Sequence, residues 1–158
     1  MFLSVVVVNW NSTDMLRTLA DSLRETAAEV EHETIVVDNN SEDFDEASFK
    51  TDYPEIKVIA EKENLGYAAG NNVGIKASKG KYILLLNPDI VLKPKAVEYT
   101  LRYMEENPNT AAAAVKLVKP EGSVDMSLRS FPYPLGVFSS TPARRNSFRK
   151  ADFSLPTA

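Results

Sequence analysis

Apolar runs and the polar breaks between them alternate along the chain with two different periods. Residues 3–8 are a near-continuous apolar run, β-branched over 5–8 and interrupted only by Ser4, which predicts a strand buried on both faces. Asn9-Trp10-Asn11-Ser12 ends that run, with Ser12 placed to cap a helix. Leu16, Leu19, Ala20, Leu23 and Ala27 then recur on one helical stripe. Residues 34–37 predict a second strand, closed by Asp38-Asn39-Asn40-Ser41, and the acidic run 42–46 predicts a weak helix. A third strand is expected over 56–60, followed by Asn64-Leu65-Gly66 and a helix through Ala77. Residues 81–86 predict a fourth strand, stopped by Asn87-Pro88-Asp89. Pro94 is placed for the first turn of a further helix, with Val97, Leu101 and Met104 as its stripe and Asn107-Pro108 as its stop. Residues 111–118 read as a fifth, weaker strand, with a turn at 120–123 and a hairpin partner within 124–128.

Strands that alternate with helices in this way argue for an α/β fold with a mostly parallel sheet flanked by helices. After Ser130 no period is sustained, and the chain divides into an ordered part over 1–135 and residues 136–158, which read as an irregular basic tail or as the start of a further, ligand-binding part. Arg144, Arg145, Arg149 and Lys150 lie in the second part with no acid among residues 141–150. That cluster reads as a solvated tail, the functional alternative being contact with anionic lipid or a diphosphate.

Composition narrows the chemistry. The 158 residues suit one domain with a real core. A net charge of −4 argues against general nucleic-acid binding. There is no cysteine, which excludes disulfides, thiolate zinc sites and cysteine nucleophiles, and the single histidine, His32, excludes a multi-histidine metal site. Any metal is therefore a hard cation held by oxygen, Mg²⁺ or Mn²⁺. The first ten residues lack a basic n-region and read as a strand rather than a signal peptide, and no apolar run approaches a membrane span, so the expected location is the cytoplasm.

In an open α/β sheet, ligands bind outside the carboxyl ends of the strands. Asn9, Trp10 and Asn11 follow the first expected strand, Asp38 and Asn39 the second, Asn64 the third, and Asn87 and Asp89 the fourth. Such a rim suits a polar ligand with many hydroxyls and an anionic group. Asp38 and Asp89 abut apolar strands and are the leading functional carboxylates, whereas Asn39, Asn40 and Ser41 read as turn chemistry. Trp10, the only tryptophan, suits stacking on a base or sugar and equally suits packing. Asn87 and Asp89 are two apart, so an extended segment would turn both oxygens toward one metal. Four of the six glycines fall at 66, 70, 74 and 80. The first three share a helical face and permit close approach, and their spacing matches neither a Walker A loop nor a dinucleotide fingerprint.

Residues 4–11, 36–41, Asn64-x-Gly66 with Asn72-x-Gly74-Ile75, and 80–89 together resemble family 2 glycosyltransferases of the GT-A fold in order and spacing. The Asn-Pro-Asp form of the DxD motif, with residues 122–125 and 127–132, is similar to the branch that uses dTDP-L-rhamnose. The resemblance implies a nucleotide-sugar donor (dTDP- or UDP-linked) and a glycan or glycolipid acceptor, at the inner face of the membrane, with peripheral membrane contact and self-association allowed. It implies that Asp38 binds the base and that Val8, Asn9 and Trp10 line the base pocket. Asp89 would ligate Mg²⁺ or Mn²⁺ near the ribose and diphosphate, with Asn87 in place of the first carboxylate. Asn64, Gly66 and Asn72 would shape the floor. The implied chemistry is an inverting in-line displacement at the anomeric carbon, assisted by the metal, with a carboxylate base in the acceptor half.

The resemblance covers residues 3–135, the donor-binding part, so the expectation is a short or truncated form. Glu121, Asp125 and Asp152 are the late carboxylates, and none stands in a matching context for the base. The competing reading is a non-catalytic nucleotide-sugar-binding module. A nucleotidyltransferase is disfavoured, because Asn9-Trp10-Asn11-Ser12-Thr13 lacks the glycine- and basic-rich loop it needs.

Overall fold

The computed structural model describes residues 2–119 and 121–125. They form β1 (Leu3–Asn9), α1 (Thr13–Thr26), β2 (His32–Asp38), α2 (Glu46–Asp52), β3 (Ile56–Ala60), α3 (Tyr67–Ala77), β4 (Tyr82–Leu86), α4 (Ala96–Glu106), β5 (Leu117–Val118) and β6 (Val124–Asp125). The chain divides into two compact units, the first Met1–Ala113 and the second beginning at Ala114. The expected boundary at 135/136 lies outside the described residues.

The first unit is built on a parallel sheet of order β3-β2-β1-β4. Every residue of β1 is buried, which explains its unbroken apolar run: it has a strand on each side and a layer on each face. One face carries Leu3, Val5, Val7, Val36 and Leu86 against Leu16, Leu19, Ala20, Leu23 and Ala27 of the α1 segment, Phe49 of α2, and Val97 and Leu101 of α4. The other face carries Val8, Ile35 and Val37 with Val73 and Ala77 of α3. There the helix comes so close that a Cβ on Gly74 would lie 2.3 Å from Val6 Cγ1. β4 is the edge of the described sheet and leaves Ile83 and Leu85 exposed.

The polar end below the sheet is fixed by Ser4. Its hydroxyl donates to Glu33 Oε1 (2.6 Å) and accepts from the Gly80 amide (2.8 Å), while the Lys79 amide donates to the same Glu33 oxygen (2.7 Å). These bonds hold the Glu33 carboxyl below its ordinary range, the Ser4 hydroxyl contributing most.

Four expectations are corrected. Residues 42–45 of the acidic run are a loop rather than a helix: Asp45 accepts from the Ala47 and Ser48 amides as an N-cap, so α2 begins only at Glu46. Ser12 stands at the N-cap of α1, but its hydroxyl donates to the Trp10 carbonyl, and Asp43 receives the Thr13 amide instead. Pro94 lies in the turn before α4, where Ala96 N–H bonds Lys93 O and Lys95 takes φ 64°. The expected fifth strand shrinks to Leu117–Val118, and it pairs antiparallel with β6 in the hairpin that was expected. The alanines at 111–114 lack the branching that favours strands. Gly122 at φ 86° makes the hairpin turn in the second unit. Expected hairpin residues 126–128 lie outside the described set.

Candidate functional site

The sheet order sets the strand-end residues in a row along one rim: Asn64 beyond β3, Asp38 at the end of β2, Asn9 at the end of β1, and Asn87 and Asp89 beyond β4. Asn9 and Asp38 face each other in the ladder. Both are buried, at 0% and 4% exposure, and Asn9 Nδ2 donates to Asp38 Oδ1 at 2.8 Å. The same carboxylate accepts from Ser41 Oγ (2.7 Å) and from the Ser41 amide (3.0 Å). Three donors satisfy this buried carboxylate. Asp38 is thus largely committed to protein partners.

Asn39, expected as turn chemistry, lies deeper than a turn residue needs to. It is 1% exposed, its amide donates to Asn9 O at 2.8 Å, and its side-chain Nδ2 donates to Gly66 O at 3.3 Å. Its carbonyl Oδ1 is buried and has no partner among the described residues, as does Asn9 Oδ1. An unpaired buried acceptor at a rim asks for a donor from outside. Only the residue type was visible in the sequence. Its burial depends on α3 lying across it.

Gly66 explains how α3 gets there. It takes φ 80°, open to glycine and strained for other residues. Asn64 Oδ1 accepts its amide at 2.8 Å, so the Asn-x-Gly spacing is a local turn. α3 then starts with no side-chain cap and no acidic residue in its first turn, leaving its N-terminal amides unanswered by side chains. Asn64 and Gly66 are exposed at this end, whereas Asn72 sits on the exposed side of α3, away from the buried Gly70, Asn71 and Gly74. The structure therefore brings Asn64 and Gly66 to the rim and turns Asn72 from it. Val8 is 6% exposed and packs beneath the position of Gly70. Trp10 stands out at 55% exposure, and Tyr67, the first residue of α3, at 57%.

Asn87-Pro88-Asp89 is a turn rather than an extended segment, since the Ile90 amide donates to Asn87 O at 3.3 Å. In a turn, unlike an extended segment, residues two apart need not face one side. Both side chains are exposed, and neither forms a hydrogen bond or ion pair among the described residues. No three His, Asp or Glu side chains gather as a ready-made metal cage among those residues. One free carboxylate beside an amide oxygen still fits a cation that takes its other ligands from phosphate and water. His32 begins β2, roughly 20 Å from Asp38 at strand rise, and its Nδ1 lies 2.7 Å from Val30 O, so it takes no part in the rim.

The family model described as glycosyl transferase family 2 matches residues 4–156. The chain belongs to this family. Its fold is the GT-A arrangement, a parallel sheet flanked by helices. An uncharacterized glycosyltransferase of Haemophilus influenzae is 32% identical over 107 residues, covering 68% of this chain and 36% of the relative. The poly(ribitol-phosphate) β-N-acetylglucosaminyltransferase TarP of Staphylococcus aureus is 31% identical over 108 residues, covering 66% of this chain and 33% of TarP. Among solved structures, S. aureus TarS 1-349 in complex with UDP-GlcNAc superposes with a TM-score of 0.61 at 25% identity, over 68% of this chain and 32% of that one. The chain thus spans about a third of the length of these relatives. Among the described residues, no helix of this family 2 chain is long and apolar enough to cross a membrane.

Proposed function

We propose that this chain binds a nucleotide-diphospho-sugar at the rim of its parallel sheet and forms the donor-binding part of a glycosyltransferase acting on a glycan or glycolipid. The observation that carries the reading is the buried, unpartnered Asn39 carbonyl, set between the end of β2 and the uncapped start of α3. A pyrimidine base carries an imide N–H that can answer that carbonyl, and carbonyl oxygens that can accept from amides beside it. Because Asp38 already accepts three protein hydrogen bonds, we give Asn39 the base contact and Asp38 the task of holding the loop. Trp10, exposed at the same rim, supplies a face for stacking.

TarS, the structural neighbour, is recorded with UDP and with UDP-GlcNAc, which supports a uridine nucleotide here. Among the described residues, the rhamnose reading rests on Asn87-Pro88-Asp89 and on residues 122–125. Asp89 and Asn87 would hold Mg²⁺ or Mn²⁺, whose chemistry when bound is to offset the charge that grows on the leaving diphosphate. The reaction is an inverting displacement at the anomeric carbon. The chain's own residues orient the donor for it: Asn39 and Trp10 fix the base, and Asn64 with Gly66 sets the helix start beside it. The proposed setting is the cytoplasmic face of a membrane.

Thermal unfolding with UDP and dTDP, each with and without Mn²⁺, tests this reading. At a hundredfold excess over Kd, a bound ligand adds about 2.7 kcal/mol, a rise of roughly 10 °C for a unit of this size. Asp89→Ala should abolish the part of the rise that needs Mn²⁺. No rise with either nucleotide, or an equal Mn²⁺ effect in Asp89→Ala, would overturn it. A sugar-transfer assay on the full chain then separates a transferase from a binding-only module.

A further inference from the structure

Two loops meet at this rim just beyond the last backbone bond between β1 and β2, from the Asn39 amide to Asn9 O at 2.8 Å. The loop after β1 contains Asn11 at φ 50°, and the loop after β2 contains Asn40 at φ 60°. Both conformations are uncommon outside glycine, and asparagine is among the residues that tolerate them. Past that bond the loops are held together by side-chain bonds, four of them between positions about thirty residues apart. The Asn11 amide donates to Ser41 Oγ (2.9 Å), and the Glu42 amide donates back to Asn11 Oδ1 (2.9 Å). The Thr13 amide donates to Asp43 Oδ2 (3.1 Å). Asn9 Nδ2 reaches Ser41 Oγ at 3.2 Å, and Ser41 Oγ donates to Asp38 Oδ1 at 2.7 Å.

The Ser41 hydroxyl sits at the centre. A serine hydroxyl has one proton and two lone pairs. Here the proton goes to Asp38, and the lone pairs take Asn11 N–H and Asn9 Nδ2. Its whole hydrogen-bonding capacity is used between the loops and none is left for a ligand. The segment it clasps carries Trp10, whose carbonyl is tied by Ser12 Oγ at 2.9 Å while its ring stays exposed. The segment on the other side carries Asn39.

We propose that Ser41 is the central positioning residue of the donor site, acting with Asn11 and Asp43 as a clasp that sets Trp10 against Asn39 before any nucleotide arrives. The inference rests on the donor-site reading above and adds to it the source of the site's preorganisation. The core beneath the clasp is apolar and formed without it. Losing the Ser41 hydroxyl therefore loosens the rim and leaves the fold standing.

The test uses the full chain, titrated calorimetrically with UDP in Mn²⁺, alongside amide hydrogen exchange and acrylamide quenching of Trp10 in the free protein. Ser41→Ala should weaken UDP binding tenfold or more, speed exchange at Asn11, Thr13 and Glu42, and raise Trp10 quenching, with β1 core amides unchanged. Ser41→Thr, which keeps the hydroxyl, should restore binding to within about threefold. Asn11→Gly keeps the backbone conformation and loses the carboxamide, and should speed exchange at Glu42 and weaken UDP binding. Ser41→Ala and Asn11→Gly chains that bind UDP as wild type does would overturn the clasp while leaving the donor site intact. A wild-type chain that binds no UDP overturns the donor-site reading and this role with it. In that case the exchange data still show whether the loops are joined.

Discussion

Adding one methyl group at Gly74 should be costly, and adding one at Gly70 should cost little stability but some binding. A Cβ at Gly74 would stand 2.3 Å from Val6 Cγ1, 3.3 Å from Val6 Cγ2 and 3.4 Å from Val37 Cγ2. Carbon atoms at rest sit about 3.5–4.0 Å apart, so the nearest contact is short by more than 1 Å. Val6 cannot swing away: it is fully buried, β-branched and in a central strand. Overpacking of this kind costs about 1–3 kcal/mol, and the upper end applies to so short a contact. Replacing glycine by alanine inside a helix returns about 1 kcal/mol. The net loss for Gly74→Ala is about 2 kcal/mol, a fall of roughly 8 °C in Tm.

At Gly70 the corresponding contacts are 3.0 Å to Val8 Cγ1 and 3.2 Å to both amide atoms of Asn39. A shift of a few tenths of an ångström relieves them, and the helix-propensity gain offsets the cost. Gly70→Ala should therefore melt within about 2 °C of wild type on the same scale, yet bind UDP less well because it displaces Asn39. Circular dichroism melts and a UDP titration read the two variants. Val6→Ala combined with Gly74→Ala should recover about 1–2 kcal/mol of coupling. A Gly74→Ala chain as stable as wild type would refute the close seating of α3 on β1, and with it the burial of Asn39.

Two further perturbations probe the rest of the first unit. Glu33→Gln keeps the oxygen that accepts from Ser4 and Lys79 but removes its charge, and should cost about 1 kcal/mol at pH 7. The Glu33 carboxyl is held below its ordinary value of 4.5, so its contribution is present above that value and fades as pH falls through the depressed one; the Tm gap between wild type and Glu33→Gln should close in acid, and a gap constant from pH 7 to 3 would contradict the assignment. Phe49, fully buried with Phe44 and Tyr53 rings at 5.2 and 4.8 Å, should cost about 3–5 kcal/mol as Phe49→Ala. Urea unfolding reads it, and a loss below about 1 kcal/mol would place the α1–α2 core elsewhere.

The parts of the fold legible in the sequence are those where one face decides everything. The stripe Leu16, Leu19, Ala20, Leu23 and Ala27 is buried throughout, and the β-branched run before it is the central strand. The strand ends do line one rim, because a parallel sheet delivers all its carboxyl ends to the same side. What was not legible depends on partners distant in sequence. Nothing local to Asp38 shows that Asn9, from the neighbouring strand, donates to it. Asn39 looked like an ordinary turn residue until α3 covered it, and Asp43 caps a helix thirty positions earlier. The backbone at Asn87-Pro88-Asp89 was not legible either: proline at the second position of a turn is as natural as proline in an extended segment, and the hydrogen bond from Ile90 decides between them.

The central claim is that a nucleotide-sugar occupies the carboxyl-end rim of the sheet. Amide chemical-shift mapping of the full chain during titration with UDP and Mn²⁺ tests it most directly. The account predicts saturable shifts concentrated at Asn9, Trp10, Asn39, Gly66 and Asp89, with the amino-end residues His32, Glu33 and Gly80 unmoved. Shifts centred on the amino end, or none at saturating nucleotide, would contradict it.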